Sequence, residues 1–152
     1  MEAIYFDMDG TIANLYAVED WEQKLRSHNV TPYSEAAPMV DMNELCELCE
    51  QFQENGITIG VISWLSIGST KEYDAQVRAA KREWLDKHFP VATEIHLVKY
   101  GTTKLSTAKH KNSVLVDDNA KVREGWHGVG VVDATKNILE ELAKLLDYVE
   151  GV

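Results

Sequence analysis

The chain has 152 residues, of which 45% are apolar and 26% charged, with nine Gly and three Pro. Length and composition together predict one compact domain over residues 1–152 and exclude a second domain of ordinary size. Fifteen Lys and Arg against 25 Asp and Glu give a formal charge of −10. A charge of that sign repels polyanions, so extended binding to nucleic acid or to an anionic membrane is not expected.

The start of the chain and its cysteine content predict a cytoplasmic setting. Residues Met1–Asp7 are acidic and lack the basic region and apolar stretch of a signal peptide. No apolar run approaches the roughly 18 residues that a membrane helix needs. Cys46 and Cys49 are too few and too close for a disulfide framework, and their mid-helix position among apolar residues favours simple packing.

Short β-rich runs alternate with longer helical patterns along the chain. This alternation predicts an α/β fold, in which a mostly parallel, Rossmann-like sheet of about five strands is covered by helices on both faces. The predicted strands are Ala3–Phe6, Ile57–Ile62, Glu94–Val98, Ser113–Val116 and Gly128–Val132.

Helical periodicity fills two of the intervals between strands and the C-terminal end. One helix is opened by Asp41 with Glu44 three residues later, and the next by Ser69 with Glu72, both at the spacing of a capping box. The last helix has its apolar stripe within Ile138–Val149.

The segment Ala13–Pro38 is the least regular part of the chain. Trp21 and Leu25 predict one short helix there, before Pro32 and Pro38 interrupt the pattern. Because the segment follows the first strand, we expect a rudimentary cap or flap that lies over the edge of the sheet.

Polar residues follow the predicted strands at the end where open α/β sheets bind ligands. These residues are Asp7–Thr11 after the first strand, Ser63 and Trp64 after the second, and Asp117–Asn119 after the fourth. Four carboxylates at one edge of a sheet repel one another unless a hard cation neutralises them. The sequence therefore predicts a Mg²⁺ site.

The spacing of the first two acids indicates a shared ligand. Asp7 and Asp9 are two residues apart in an extended segment, so both side chains face one side while Met8 packs away. Gly10 permits a sharp exit of the chain, and the amides that follow, beginning at Thr11, are predicted to hold an anion. Carboxylates with Mg²⁺ and a serine suggest phosphoryl transfer to an aspartate nucleophile.

The run Asp7–Thr11 after the first strand, with Asp117 and Asp118 after the fourth, resembles the motifs of the haloacid dehalogenase superfamily in order and spacing over nearly the whole chain. The resemblance implies an aspartyl-phosphate on Asp7, and Asp9 as the acid that protonates the leaving group and then activates water. It also implies that the carboxylates of Asp7 and Asp118 and the carbonyl of Asp9 hold Mg²⁺, with Asp117 as support or alternative ligand.

The resemblance further implies a phosphate-binding residue and a lysine. Ser63 would bind the transferring phosphoryl group. The lysine precedes the fourth strand, where four candidates compete, namely Lys99, Lys104, Lys109 and Lys111. We choose Lys104, because Tyr100–Thr103 predicts a turn that presents it at the start of the next helix; Lys99 is second.

Within the superfamily the chain is similar to the cytosolic and phage-type 5′(3′)-deoxyribonucleotidases. It departs from them in its small cap and in carrying Ser63–Ser66 where those enzymes have Thr or Ser followed by Ser-Pro. The resemblance implies a small phosphorylated substrate, a nucleoside monophosphate. Trp64, which follows Ser63, and Tyr16 and Trp21 of the 13–38 segment are predicted to stack its base, although core packing is the favoured role of Trp21.

Other functions are compatible with the same pattern. An open site would suit a polynucleotide or phosphoprotein phosphatase, although the acidic charge disfavours the first. A signalling receiver would need adjacent acids after the first strand and a lone Asp after the third, where this chain has Lys99-Tyr100. A catalytically silent binding protein of the same fold is a further alternative.

Overall fold

The computed structural model describes residues 1–151 and confirms the α/β architecture. The parallel strands are β1 (Ala3–Phe6), β2 (Thr58–Trp64), β3 (Glu94–Val98), β4 (Ser113–Asp117) and β5 (Gly130–Asp133), in the order β3-β2-β1-β4-β5. The helices are α1 (Trp21–Arg26), α2 (Thr31–Glu35), α3 (Met42–Glu54), α4 (Lys71–His88), α5 (Lys104–Thr107), α6 (Ala120–Glu124) and α7 (Ile138–Glu150). Within these residues, no helix has both the length and the apolar character needed to cross a membrane.

The central strand β1 shows how the sheet is covered on both faces. Ile4 and Phe6 point into the larger core, which α3, α7 and the end of α4 also line. Ala3 and Tyr5 point into the opposite core, where Trp126 packs against Tyr5. All four residues of the strand are fully buried, so its sequence is a continuous apolar run rather than an alternating one.

Two strands run further than the sequence predicted. β2 continues past Ile62 through Ser63 and Trp64, because both residues pair with β3. β4 continues to Asp117, which pairs with β5. Three of the predicted site residues therefore lie on strands whose backbones are held by the sheet, rather than in the loops that follow. β5, in contrast, begins at Gly130 and is shorter than predicted at its start.

The start of α4 differs from the prediction by one residue. Thr70 is the N-cap, and its hydroxyl accepts a hydrogen bond from the amide of Tyr73 at 3.2 Å. Ser69, the predicted cap, instead donates to the carbonyl of Thr70. Residues 69 and 70 both carry a hydroxyl group, and the capping-box spacing to Glu72 favoured Ser69. Thr70 is the N-cap because it has the extended dihedral angles that this position requires.

Residues 13–38 form a flap at the carboxyl ends of the strands. It contains a 3₁₀ turn at Leu15–Ala17 followed by α1 and α2, and its two ends meet where the amide of Asn14 donates to the carbonyl of Ala37 at 2.8 Å. The expectation that Pro32 interrupts the helical pattern is wrong. Pro32 lies in the first turn of α2, where the amide that proline lacks would have no helical partner.

Helix α4 holds the flap in place. The hydroxyl of Tyr73 donates to the carbonyl of Asn29 at 2.9 Å, and the indole of Trp84 donates to the carbonyl of Ala36 at 2.7 Å. The flap residue Tyr33 is buried in an apolar cluster with residues of the same helix. The flap is therefore attached to α4 on both sides of α2.

The N-cap of α3 offers a test of the local energetics. Asp41 Oδ1 accepts hydrogen bonds from the amides of Asn43 and Glu44 at 3.0 and 3.1 Å. We expect Asp41→Ala to lower the free energy of unfolding by about 1 kcal/mol, because two helix amides lose their acceptor. Glu44→Ala should cost less, since the capping bonds end on the Glu44 amide and not on its side chain. Urea unfolding followed by circular dichroism measures both, and equal losses would contradict this account of the cap.

Candidate active site

The site lies where the chain leaves two neighbouring strands in opposite directions. β1 and β4 are adjacent, but the connection after β1 leads to β2 and the one after β4 leads to β5. Loops that diverge in this way leave a crevice at the carboxyl ends of the strands. The crevice is a cleft of about 270 Å³, and its floor includes Asp7, Asp9, Asp117 and Asp118.

Lys104 joins the acids of β1 and β4. Its Nζ donates to Asp7 Oδ1 at 2.9 Å and to Asp117 Oδ2 at 2.8 Å. Lys104 is the first residue of α5 and is 5% exposed. Burial alone would lower the pKa of Lys104, but the attraction of the two carboxylates outweighs it and raises that pKa. The lysine is therefore held in its charged form.

The other three candidate lysines do not reach these acids. Lys99 and Lys109 are exposed. Lys111 is also exposed, and its Nζ donates to the carbonyls of Leu105 and Ala108. Lys104 is thus the member of the group that the turn after β3 presents to the cleft.

Three carboxylates are close enough to share one cation. Asp7, Asp117 and Asp118 each place a carboxylate oxygen within 4.8 Å of the others. The buried hydroxyl of Thr11 lies 3.2 Å from both Asp7 Oδ2 and Asp118 Oδ1, between the two strand ends. Burial and the neighbouring charge of Asp7 raise the pKa of Asp118 to about 7. A set of carboxylate oxygens of this kind suits a hard divalent cation.

Asp117 and Asp118 differ in how their oxygens are used. Asp117 accepts from Lys104 through Oδ2 and from the amide of Asn119 through Oδ1, at 2.9 Å. Burial and the charge of Asp7 raise the pKa of Asp117, against the attraction of Lys104. Asp118 is less buried than Asp117, and its carboxylate faces the cleft from the Thr11 side. This arrangement favours Asp118 over Asp117 as the direct cation ligand.

Asp9 is held separately from the other acids. Its Oδ2 accepts a hydrogen bond of 2.8 Å from Nζ of Lys81, a residue of α4. Burial raises the pKa of Asp9, against the attraction of Lys81. The side chain of Asp9 is thus not part of the three-carboxylate cluster. The predicted cation ligand at this position is its backbone carbonyl, which stays a prediction.

Lys81 was missed in the sequence. It is 1% exposed, and besides Asp9 its Nζ donates to Ser63 Oγ and to the carbonyl of Trp64, each at 2.8 Å. A signal was present, because Lys81 lies four residues after Val77 and three before Trp84, on the apolar stripe of the helix. A lysine on such a stripe is rarely buried without a charged partner.

The turn after β1 depends on glycine at one position. Gly10 has φ of +81°, and an added Cβ would overlap the carboxylate of Asp118 and lie 2.8 Å from the ring of Tyr16. The amide of Gly10 donates to Ala13, and the amide of Thr11 donates to Met8. The prediction that these amides hold an anion is therefore wrong. Thr11 faces the site through its hydroxyl instead.

Aromatic side chains form the walls of the cleft. The indole of Trp64 donates to the carbonyl of Thr102 at 2.8 Å, and its ring lies 5.4 Å from Lys104 Nζ. Tyr16 and Trp21 come from the flap and contact each other edge to face, with ring centroids 5.0 Å apart. Trp21 packs against the apolar cluster that contains Tyr33, as expected of a core residue, but it is only partly buried and also lines the cleft.

Comparison with known proteins supports the fold. No protein-family model and no curated protein matches the chain. A crystal structure at 1.44 Å resolution of an uncharacterized protein from Corynebacterium glutamicum ATCC 13032 Kitasato is similar, with a TM-score of 0.50 and 14% identity, over 100% of this chain and 96% of that one. At this identity the similarity concerns the α/β architecture alone.

The raised pKa of Asp118 predicts a pH dependence of stability in the metal-free protein. Because folding raises this pKa from 3.8 to about 7, the free energy of unfolding should fall as the pH rises through that interval. Asp118→Asn should remove this part of the decline, and so should a divalent cation that binds the carboxylate. Thermal unfolding at several pH values, with and without Mg²⁺, measures the effect. Parallel curves for wild type and Asp118→Asn would contradict it.

Proposed function

We propose that this protein is a magnesium-dependent phosphomonoester hydrolase that works through an aspartyl-phosphate on Asp7. The observation that carries the proposal is that Asp7, Asp118 and Lys104 meet in the cleft at the carboxyl ends of β1 and β4, with Asp9 beside them. The resemblance of the Asp7–Thr11 run to the haloacid dehalogenase superfamily supports the same assignment.

The donor set fits Mg²⁺. Four carboxylates line the cleft, and two ammonium groups, Lys81 and Lys104, bond to three of them. Negative charge is therefore in excess, by two when all four acids are ionised and by one when Asp9 is protonated. Asp7 and Asp118 would hold the ion through their carboxylates, and Asp9 through its carbonyl. Bound there, Mg²⁺ would neutralise charge on the phosphoryl oxygens and orient the group.

In the first step a carboxylate oxygen of Asp7 attacks the phosphorus of the ester. A bond forms between that oxygen and phosphorus, and the bond from phosphorus to the ester oxygen breaks. Asp9 gives its proton to the departing oxygen, which leaves as an alcohol. Burial, which raises the pKa of Asp9, favours the protonated form that this step requires.

In the second step water attacks the phosphorus of the aspartyl-phosphate. Asp9, now ionised, takes a proton from that water while the bond between phosphorus and Asp7 breaks. Inorganic phosphate leaves, and both acids return to their starting states. Lys104 lines the cleft beside Asp7 and would stabilise the charge on the phosphoryl group. Ser63 is fully buried and does not line the cleft, so we assign it no contact with that group.

For the substrate we propose nucleoside monophosphates. The cleft has aromatic walls from the flap and from β2, on which a flat base can stack. Its volume of about 270 Å³ and the net charge of −10 suit a small phosphate better than a polynucleotide.

The central test is hydrolysis of a panel of phosphate esters with and without Mg²⁺. We expect turnover that depends on Mg²⁺ and is abolished by a chelator without unfolding the protein. Asp7→Asn should lose the activity altogether, because the nucleophile is gone. Full turnover in excess chelator would overturn the mechanism, and the absence of turnover on every ester would favour a silent binding protein.

Mass spectrometry of substrate-treated variants provides the control for the covalent step. Asp9→Asn is expected to accumulate a phosphoryl adduct from an ester with a good leaving group, because that departure needs no proton while hydrolysis of the adduct still needs a base. Asp7→Asn should show no adduct. A phosphoryl adduct on Asp7→Asn would place the nucleophile elsewhere.

The nucleotide proposal is tested on Trp21 rather than Trp64, since the ring of Trp64 also contacts Lys104. Trp21→Ala should lower kcat/KM for nucleoside monophosphates about tenfold, the size of one lost stacking contact, and leave sugar phosphates nearly unchanged. Tyr148→Ala is the matched control, because Tyr148 is 84% exposed and lies on α7, outside the cleft. A preference of the wild type for sugar phosphates would refute the nucleotide assignment and leave the phosphatase assignment standing.

A further inference from the structure

Lys81 makes a set of contacts that the two-step reaction does not explain by itself. Its ammonium group has three protons, and each has an acceptor at 2.8 Å: Asp9 Oδ2, Ser63 Oγ and the carbonyl of Trp64. The ring of Tyr33 from the flap covers the group, with its centroid 4.9 Å from Nζ. The ammonium group of Lys81 is therefore shielded from solvent, uses all three of its protons in hydrogen bonds and is confined to one position.

These bonds restrict what Asp9 and Ser63 can do. With Oδ2 of Asp9 bound to Lys81, the oxygen left to carry a transferable proton is Oδ1. Ser63 is fully buried and its oxygen accepts from Lys81, so Ser63 serves to hold the lysine in place.

The two buried lysines serve different acids. Lys104 bonds to Asp7 and Asp117, the acids proposed for attack and for support of the cation. Lys81 bonds to Asp9, and its remaining protons are taken by Ser63 and the backbone. Loss of Lys81 should therefore affect the proton-transfer acid and leave the cation-binding acids in place.

We propose that Lys81, anchored by Ser63 and the carbonyl of Trp64, is a positioning residue that aims Asp9 at the leaving-group oxygen. The proposal rests on the hydrolase function proposed above. A lysine that served stability alone would, when replaced, slow every ester by the same factor. A lysine that positions the acid matters most where the leaving group needs a proton.

The test compares two esters in Lys81→Met, a variant of similar length without the charge. An alkyl phosphate needs a proton on its leaving oxygen, whereas an aryl phosphate with an acidic phenol does not. We expect kcat for the alkyl ester to fall about 10²-fold, as for a lost general acid, and kcat for the aryl ester to fall far less. Lys87→Met is the matched control, because Lys87 is an exposed lysine of the same helix.

Two further measurements separate positioning from damage to the fold. Mg²⁺ affinity by calorimetry should stay close to that of the wild type in Lys81→Met. In the Asp9→Asn background, Lys81→Met should add almost no further loss on the alkyl ester, because the residue it positions is already disabled. If Lys81→Met proves unfolded, Lys81→Arg and Lys81→Gln replace it. Lys81→Arg retains a charged donor, so its ratio of kcat for the alkyl ester to kcat for the aryl ester should lie nearer the wild-type value than that of Lys81→Gln.

Equal losses on the two esters, or losses that multiply with Asp9→Asn, would overturn the positioning role of Lys81 while the wild type remains an active hydrolase. A wild type that hydrolyses neither ester would instead refute the proposed function itself. The two failures are therefore distinguishable in one set of assays.

Discussion

The repulsion among four carboxylates at one sheet edge is the constraint on which the rest of this molecule depends. Burial of Asp7 and Asp117 is tolerable only because Lys104 lies between them with a hydrogen bond to each. Burying an ion pair costs desolvation of both partners, and the cost is offset only where geometry is good and the remaining protons are satisfied. Lys81 meets that condition with three hydrogen bonds of 2.8 Å, and Lys104 makes one hydrogen bond to each of its two acids.

Helix α4 links the site to the flap and to the core. One face of it carries Trp84 into the core beneath the sheet and Lys81 to the acids, and the same helix bonds the flap through Tyr73. Tyr33 then returns from the flap to cover Lys81, and its hydroxyl lies 3.0 Å from that of Ser66 at the cleft. The flap, Ser66, Lys81 and Asp9 are thus parts of one packed unit.

Much of this arrangement could be predicted because it depends on residues that are close together in the sequence. β1 is a continuous apolar run and the acids follow it directly, so the sheet and its acidic edge could be derived from spacing. The apolar stripe of α4 indicated that Lys81 is buried, but its partner could not be predicted, because Asp9 is 72 residues away in the sequence. The same limit applies to the turn amides after Gly10: the sequence shows the glycine that permits the turn, but only the folded backbone shows that the turn uses up its own donors.

The attachment of the flap to α4 also determines how this region moves. The bonds from Tyr73 to Asn29 and from Trp84 to Ala36 hold α2 on both of its sides. Tyr33, which lies between these two points, is buried in the apolar cluster with residues of α4, so α2 can leave α4 only if both bonds break and that cluster is exposed. Such opening is a local unfolding of the flap rather than a free hinge motion. With α2 held in place, ligands enter and leave through the existing mouth of the cleft.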